Sequence, residues 1–412
     1  MTDTRIEPQS WMTAPATCAV LAPLRAGGAG VRFVGGCVRD AVAGRPISDI
    51  DLATDVSPER VMELLDAAGL KVIPTGIEHG TVTVVSDGRP YEVTTLRHDI
   101  ETDGRHAVVA FTDDWEADAA RRDFTMNALS LEPDGLLHDP FGGVADLRAG
   151  RVRFVGDPRQ RIAEDVLRLL RFFRFYAHYG APPPDPASLG ACREMAHLLP
   201  RLSAERVRVE LLKLLSAPDP ASVIRVMRDE GVLDHFLAQA TGIDRLARLV
   251  DIEAALDLND PLRRLAAVLP VDGESARHLA QGLRLSNAER DRLVEMVAPP
   301  LEISPALGPP ARRQLLYRIG ESSWIDLVLI AWADGLAAPD DPDWRALLRA
   351  SEGWRRPEFP LDGRDVKRLG MAEGAVVGEL LRAVEVWWIA GDFSAGRKEC
   401  LAKLRNLARS LS

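Results

Sequence analysis

The sequence predicts an α/β head followed by an all-α remainder, and three observations carry that expectation. Short β-branched and aromatic runs, bounded by glycines or by an Asp-Gly pair, crowd the first 156 residues. From about Asp157 onward apolar residues recur at helical spacing, with no further strand-like run. The length of 412 residues leaves room for several domains and a sizeable core.

In chain order, "VRFVGG" (31–36) is a strand ending in paired glycines, and "SPERVMELLDAAG" (57–69) is a helix with Ser57 as N-cap and Pro58 at its first position. "TVTVVS" (81–86) and "YEVTTLR" (91–97) form a hairpin across Asp87-Gly88, and "ALSLEPDGLLHDP" (128–140) forms a second. These strands are too few and too close together for a doubly wound sheet, so a compact mixed sheet with flanking helices is expected. Beyond it, "QRIAEDVLRLLRFFRFYAH" and "SAERVRVELLKLLS" are amphipathic helices, and helical texture continues to the C-terminus. Near the end, Val377, Leu380, Leu381, Val384, Trp387 and Trp388 share one broad face, expected to be core. The divisions read from this texture are 1–156, 157–235 and 236–412.

The bulk properties exclude several classes. A chain that is 46% hydrophobic and 27% charged has the mix of an ordinary globular protein, and no apolar run approaches the roughly 20 residues of a membrane span. The N-terminus lacks a basic segment followed by an apolar one, so no secretory signal is read and the cytoplasm is expected. Cys18, Cys37, Cys192 and Cys400 lie far apart with no zinc-ligand spacing, as expected of buried, reduced thiols. A net charge of −10 disfavours a long polyanion-binding surface, so any nucleic-acid contact needs a local cationic face.

The chemistry concentrates in "VGGCVRDAVAGRPISDIDLATD" (34–55). Asp49 and Asp51 are separated by one residue, and on an extended strand such residues project to one side. Two carboxylates held together repel unless a cation sits between them, and magnesium, which takes hard oxygen ligands and bridges to phosphates, fits that need. A bare DxD is also a common solvated pair, so its company matters. Upstream, Gly35 and Gly36 follow a strand and precede a short helix, where backbone N–H groups can approach phosphate oxygens, and Arg39 lies one turn further on.

Taken with "HGTVTVV", "RRDFTMNALS", "HDPFGGVADL", "RIAEDVLRLLRFFRF" and "LSAERVRVELLKLL", this stretch resembles the class II tRNA nucleotidyltransferase and bacterial poly(A) polymerase family. The motifs run in the family's order across residues 31–215, whereas the C-terminal third is similar only in texture and in "FPLDGRDVKRLGMAEGAVVGELL". The resemblance implies a polymerase-beta-like nucleotidyltransferase head, built on a mixed sheet and carrying the catalysis, followed by an all-α neck, body and tail. It implies that Asp49 and Asp51 ligate two Mg2+ ions, that CTP and ATP are the substrates, and that the tRNA acceptor arm is the partner. Glu92 is the candidate third carboxylate. Gly36, Arg39 and Arg122 are candidates for the bound nucleotide. Asp123 and Asn127 are expected to brace the loop instead.

In "EDVLRLLRFFRF", Asp165, Arg168, Arg171 and Arg174 recur every third residue as a polar stripe opposite Leu167, Leu170 and Phe173. For an isolated helix this is a solvated face. In the family, the aspartate and the first arginine read the Watson–Crick edge of the incoming base, and all four are carried as nucleotide-binding candidates. The polar segment 97–124 ahead of "RRDF" is full length, which in this family favours an enzyme able to add the terminal A. The C-terminus is short and modestly basic, whereas poly(A) polymerases of this family carry a strongly basic extension, which favours CCA addition to tRNA over poly(A) synthesis; partial, A-only addition stays as an alternative. Nucleotide transfer to a small molecule would share the DxD without needing the base-reading helix, and a non-enzymatic RNA-binding module would leave the paired carboxylates unexplained.

Overall fold

The structure, a computed structural model, describes residues 4–102, 107–369 and 375–410. The chain folds as two compact units, Met1–Ala238 and Gln239–Ser412. The tip of the polar segment, 103–106, and residues 370–374 of the C-terminal motif lie outside the described residues.

The first unit opens with β1 (Thr4–Arg5), α1 (Ser10–Thr13), α2 (Pro15–Ala26), β2 (Val31–Val34), α3 (Gly36–Val42), β3 (Asp51–Thr54) and α4 (Pro58–Ala67). It continues through β4 (Lys71–Gly76), β5 (Thr81–Ser86), β6 (Arg89–Thr95), β7 (Arg97–Thr102), β8 (Ala107–Phe111), α5 (Trp115–Ala120), β9 (Ser130–Leu131) and β10 (Leu136–His138). Helices follow: α6 (Gly143–Arg148), α7 (Pro158–Glu164), α8 (Leu167–Tyr179), α9 (Pro186–Met195), α10 (Ala204–Leu215) and α11 (Pro220–Asp229).

Eight strands form one sheet in the order β1-β10-β9-β2-β3-β6-β5-β4. Every pairing is antiparallel except β3 with β6, which run parallel. Both expected hairpins are present, and Asp87 and Gly88 adopt the positive φ values, 49° and 72°, that a two-residue hairpin turn of this twist requires. Ser57 caps α4 by accepting from the Arg60 amide at 3.4 Å, with Pro58 at the first helical position. Within the described part of 97–124, β7 and β8 pair as a separate two-stranded ribbon, followed by α5.

Phe33, Leu52, Val82, Val84, Tyr91 and Val93 are fully buried on one face of the large sheet, in a core shared with Val20 and Leu24 of α2 and Val61 and Leu65 of α4. On the opposite face Val34, Ala53 and Leu96 form a small apolar cluster covered by Trp115. The Arg32 guanidinium stacks 4.1 Å from the Trp115 ring, which helps hold α5 to the sheet.

The second unit contains α12 (Ile243–Ala254), α13 (Pro261–Val268), α14 (Gly273–Gly282), α15 (Asn287–Val297), α16 (Pro309–Asp334, broken at Gly320, φ 81°), α17 (Pro342–Leu348), α18 (Gly363–Lys367), α19 (Ala375–Ala390) and α20 (Arg397–Arg409). No described helix is long and apolar enough to cross a membrane. Leu380, Val384 and Trp388 are core as expected, but Trp387 is 37% exposed with Lys403 5.8 Å from its ring. Adjacent helical residues lie about 100° apart, so two neighbouring tryptophans cannot both face a narrow core.

Four helices of this unit are joined by buried charge. Glu253 on α12 accepts from Arg263 and Arg264 of α13, each at 2.6 Å. Arg263 also donates to Asp326 of α16 at 2.9 Å, and Arg292 of α15 donates to both Asp326 and Asp260 at 2.6 Å. Glu253→Ala removes the buried carboxylate that Arg263 and Arg264 share, so chemical denaturation should show a loss of about 3–5 kcal/mol. A change within experimental error would mean that the network contributes nothing to stability.

Candidate active site

The two faces of the sheet have opposite chemistry because side chains alternate along each strand. Tyr91 and Val93 enter the core, so Glu92 and Thr94 of β6 emerge on the other face. The parallel register places Asp51 of β3 directly beside Glu92. Both line a cleft of about 540 Å³ that is also walled by the Gly35–Gly36 turn, by Arg39, Arg121 and Arg122, and by Asp165, Arg168, Arg171 and Arg206.

Asp51 is a carboxylate of the cleft whose affinity for its proton is raised. Burial raises its pKa, Glu92 and Asp49 add repulsion, Arg122 opposes them, and the result is about 6. A carboxyl held reluctant to ionise by burial and by its own kind is a site that gains from a divalent cation. Among the described residues no three Asp, Glu, His or Cys side chains close into a metal cage. A magnesium site needs none, since one or two carboxylates, completed by water and substrate phosphate oxygens, suffice. The donor set fits the ion.

Asp49 departs from its expected setting. Strand β3 begins at Asp51, so Asp49 lies in the preceding loop, exposed, accepting from the Ser48 hydroxyl at 3.1 Å and absent from the cleft lining. The alternation survives all the same: Ile50 is buried between the two aspartates, and Asp49 acts on Asp51 through its charge.

Gly35 has φ 72°, a left-handed conformation that strains any residue with a side chain, and a Cβ there would lie 3.5 Å from both Asp51 Oδ2 and Arg122 Nη1. Gly36 opens α3 beside them. Arg39 borders the cleft but is already held: Nε and Nη2 donate to Asp40 at 3.0 Å, and Nη1 donates to Asn127 Oδ1 at 2.9 Å. Arg122 is anchored more loosely, by Asp118 at 3.3 Å and the Asn127 carbonyl at 3.4 Å. Asp123 and Asn127 brace the loop as expected. The Asp123 carboxylate accepts from the Phe124 amide and Asn127 Nδ2, each at 2.9 Å, and from Arg171 Nε at 2.7 Å.

The arginine stripe needs two corrections. Asp165 is not on the helix with the arginines: at φ −149° and ψ 108° it is the extended residue between α7 and α8. Its Oδ1 accepts the Leu167 amide at 3.1 Å, and its Oδ2 accepts from Arg206 of α10 at 2.7 Å. Arg174, in turn, is absent from the cleft lining; its Nε lies 3.2 Å from Glu210 Oε2, on α10, and its guanidinium sits 4.3 Å from the Phe175 ring. The reason is geometric. Each step of three residues falls about 60° short of a full turn, so Arg174 is rotated about 120° from Arg168. Nor is the stripe solvated, because Arg168 donates to Glu164 Oε2 at 2.5 Å and to the Arg121 carbonyl at 3.2 Å, and Arg171 pairs with Asp123.

The sequence reading missed Arg121, Arg206, Thr81 and Thr94, all of which line the cleft. Thr94 could have been found, being two residues beyond Glu92 on one strand. Arg206 meets Asp165 across a separation of 41 residues that no local pattern signals. Of the cysteines, Cys37, Cys192 and Cys400 are buried but Cys18 is exposed. Burial pushes the Cys37 thiol up to about 12.

The family described as "Poly A polymerase head domain" matches residues 31–153, and that described as "Probable RNA and SrmB-binding site of polymerase A" matches residues 184–241. The mitochondrial CCA tRNA nucleotidyltransferase 1 of Danio rerio is 33% identical over 91% of this chain and 86% of its own length. The chain belongs to the CCA-adding tRNA nucleotidyltransferase family. A CCA-adding enzyme of Limosilactobacillus fermentum is 32% identical over 91% of this chain and 92% of its own. The crystal structure of the Bacillus stearothermophilus CCA-adding enzyme in complex with CTP superimposes with a TM-score of 0.80 at 30% identity, covering 96% of this chain and 97% of that one. As in other CCA-adding nucleotidyltransferases, the head is polymerase-beta-like with a mixed sheet, and the rest is helical.

The raised pKa of Asp51 has a defined sign. A carboxyl that holds its proton more tightly when folded loses stability as pH rises from 3.8 through about 6, and the loss is complete above that. In EDTA at pH 7.5, Asp51→Asn should therefore stabilise the protein, by about 3 kcal/mol at most, with a smaller gain at pH 5. Magnesium should narrow the gap by stabilising only the wild type. Equal stability of the two proteins at both pH values would remove the repulsion inferred at this carboxylate.

Proposed function

We propose that this chain completes the 3′ end of tRNA, adding C, C and A from CTP and ATP without a template and releasing pyrophosphate. The observation that carries the reading is the Asp51–Glu92 pair, set in one cleft with the base-facing candidates Asp165 and Arg168. The tRNA specificity rests on the names of relatives that match nearly the whole chain, and CTP on the B. stearothermophilus complex.

Asp49 and Asp51 would hold Mg2+, with Glu92 completing the oxygen shell or accepting the proton of the primer's 3′-hydroxyl. Two magnesium ions held there would supply acidification of that hydroxyl and neutralisation of the leaving pyrophosphate. The protein's own part is chiefly positioning. Gly35 and Gly36 leave the backbone bare beside Asp51, and Arg122, with Arg39 and Arg171 further along the cleft, offers guanidinium groups to the triphosphate. Arg174 serves this site at one remove, by holding α8 to α10 through Glu210.

Asp165 and Arg168 select the base. Cytosine and adenine both present an exocyclic amine beside a ring-nitrogen acceptor, which a carboxylate acceptor and a guanidinium donor can meet. Guanine and uracil present the opposite sense, and each mispaired buried group costs about 1–3 kcal/mol. In this reading residues 1–156 form the catalytic head, 157–235 the neck that recognises the base, and 236–412 the body and tail that grip the tRNA acceptor arm by backbone contacts and shape. The expected compartment remains the cytoplasm, although the D. rerio relative is mitochondrial.

Two experiments test this. With magnesium and each labelled triphosphate, tRNA ending at the discriminator base should gain two C and one A and then stop, whereas an unstructured RNA should gain none. Long A tracts on any RNA would instead make the chain a poly(A) polymerase. Asp51→Ala should abolish incorporation of every nucleotide while tRNA binding persists, whereas Asp165→Ala or Arg168→Ala should narrow the CTP-over-UTP preference by about tenfold or more. Retained selectivity in both of the latter variants would move base recognition to other residues.

A further inference from the structure

A pair of threonines in the cleft is left unused by this mechanism. Thr81 opens β5, Thr94 lies on β6, and the two are register partners whose hydroxyl oxygens are 3.1 Å apart. Both are half-buried and both line the cleft. One hydroxyl donates to the other, so one O–H and several lone pairs remain for a ligand.

Their place in the sheet says which ligand. Across the cleft the strands run β2, β3, β6, β5. The glycine turn after β2 and the nearby Arg122 flank Asp51 on one side, and these are the groups assigned to the triphosphate. Glu92 is the next strand over, and the threonine pair lies on the β5–β6 flank, away from the glycine turn. Phosphoryl transfer is in line: the 3′-oxygen forms its bond to the α-phosphorus as the bond to pyrophosphate breaks on the far side. With the triphosphate on the β2 flank, the attacking ribose must enter over β6 and β5. Its 2′-hydroxyl, adjacent to the reacting oxygen, is both donor and acceptor, the complement of a hydroxyl pair with one free O–H.

We propose that the Thr81–Thr94 pair binds the 2′-hydroxyl of the primer's terminal ribose, so that the enzyme distinguishes an RNA end from a DNA end at this point. The proposal rests on the reading of the chain as a tRNA nucleotidyltransferase and adds the recognition of the acceptor sugar. A cross-strand threonine pair also stabilises a sheet by itself, by a few tenths of a kcal/mol to about one. The protein carries its own control for that role: Thr75 and Thr83 make a second cross-strand hydroxyl contact, at 2.8 Å, where the β4–β5 register is irregular and outside the cleft lining.

The test compares kcat/KM for addition to tRNA primers ending in a ribonucleotide or in its 2′-deoxy counterpart, for the wild type and for Thr81→Val, Thr94→Val and Thr75→Val. The wild type should favour the ribose end by roughly 5–20-fold, the range of one hydrogen bond in a partly desolvated site. Thr81→Val and Thr94→Val should bring that ratio close to one, and Thr75→Val should leave it as in the wild type. A ratio near one in the wild type, or a ratio that survives both cleft substitutions or falls equally in all three variants, overturns the proposal. Should the wild type add nothing to either primer, the nucleotidyltransferase reading itself fails, an outcome distinct from addition without sugar preference.

Discussion

The parallel pairing of β3 with β6 is the interaction on which the rest of the cleft depends. It is the one parallel contact among the described strands of the large sheet, and its register sets Asp51 against Glu92. Two carboxylates side by side on a half-buried sheet face are unfavourable in themselves, and the price is met by the apolar face beneath, where Leu52, Tyr91 and Val93 are fully buried against α2 and α4. A one-residue slip of either strand would send its own carboxylate into that core, so hydrophobic burial and the position of the site are enforced by the same register.

Around this pair the protein manages charge with charge. Asp123 holds Arg171, Glu164 holds Arg168, Arg206 holds Asp165, and Glu210 holds Arg174, so α8 is tied to the loop before β9 and to α10 by ion pairs, while its Leu169, Phe172 and Phe173 are buried. Fixed guanidinium and carboxylate groups lose less freedom on meeting a nucleotide than mobile ones would, which is the advantage of a preorganised site. The cleft lining carries seven arginines against four carboxylates, so a chain of net charge −10 presents a locally cationic cleft to a polyanion.

Elements with a strong local signal were readable before the structure. The Asp-Gly hairpin, the Ser57-Pro58 helix start and the period-two alternation through "YEVTTLR" each depend on near neighbours in the chain. Errors arose where a regular spacing was extended too far. The stripe from Asp165 to Arg174 has a constant interval of three, yet the chain breaks between α7 and α8 at Asp165, and the remaining arginines drift around the helix until Arg174 leaves the cleft. The same angular argument leaves Trp387 outside while Trp388 is core.

The sequence by itself determined the α/β-then-α order, the DxD with its glycine turn, and the family, because these reside in local patterns and in the order of motifs. Only the tertiary structure decided that Asp51 and Glu92 are neighbours, that Asp165 is held by Arg206, and that Thr81 and Thr94 share the cleft with them. Those relations join residues tens of positions apart through sheet register and helix packing, and no local spacing encodes which strand will lie beside which.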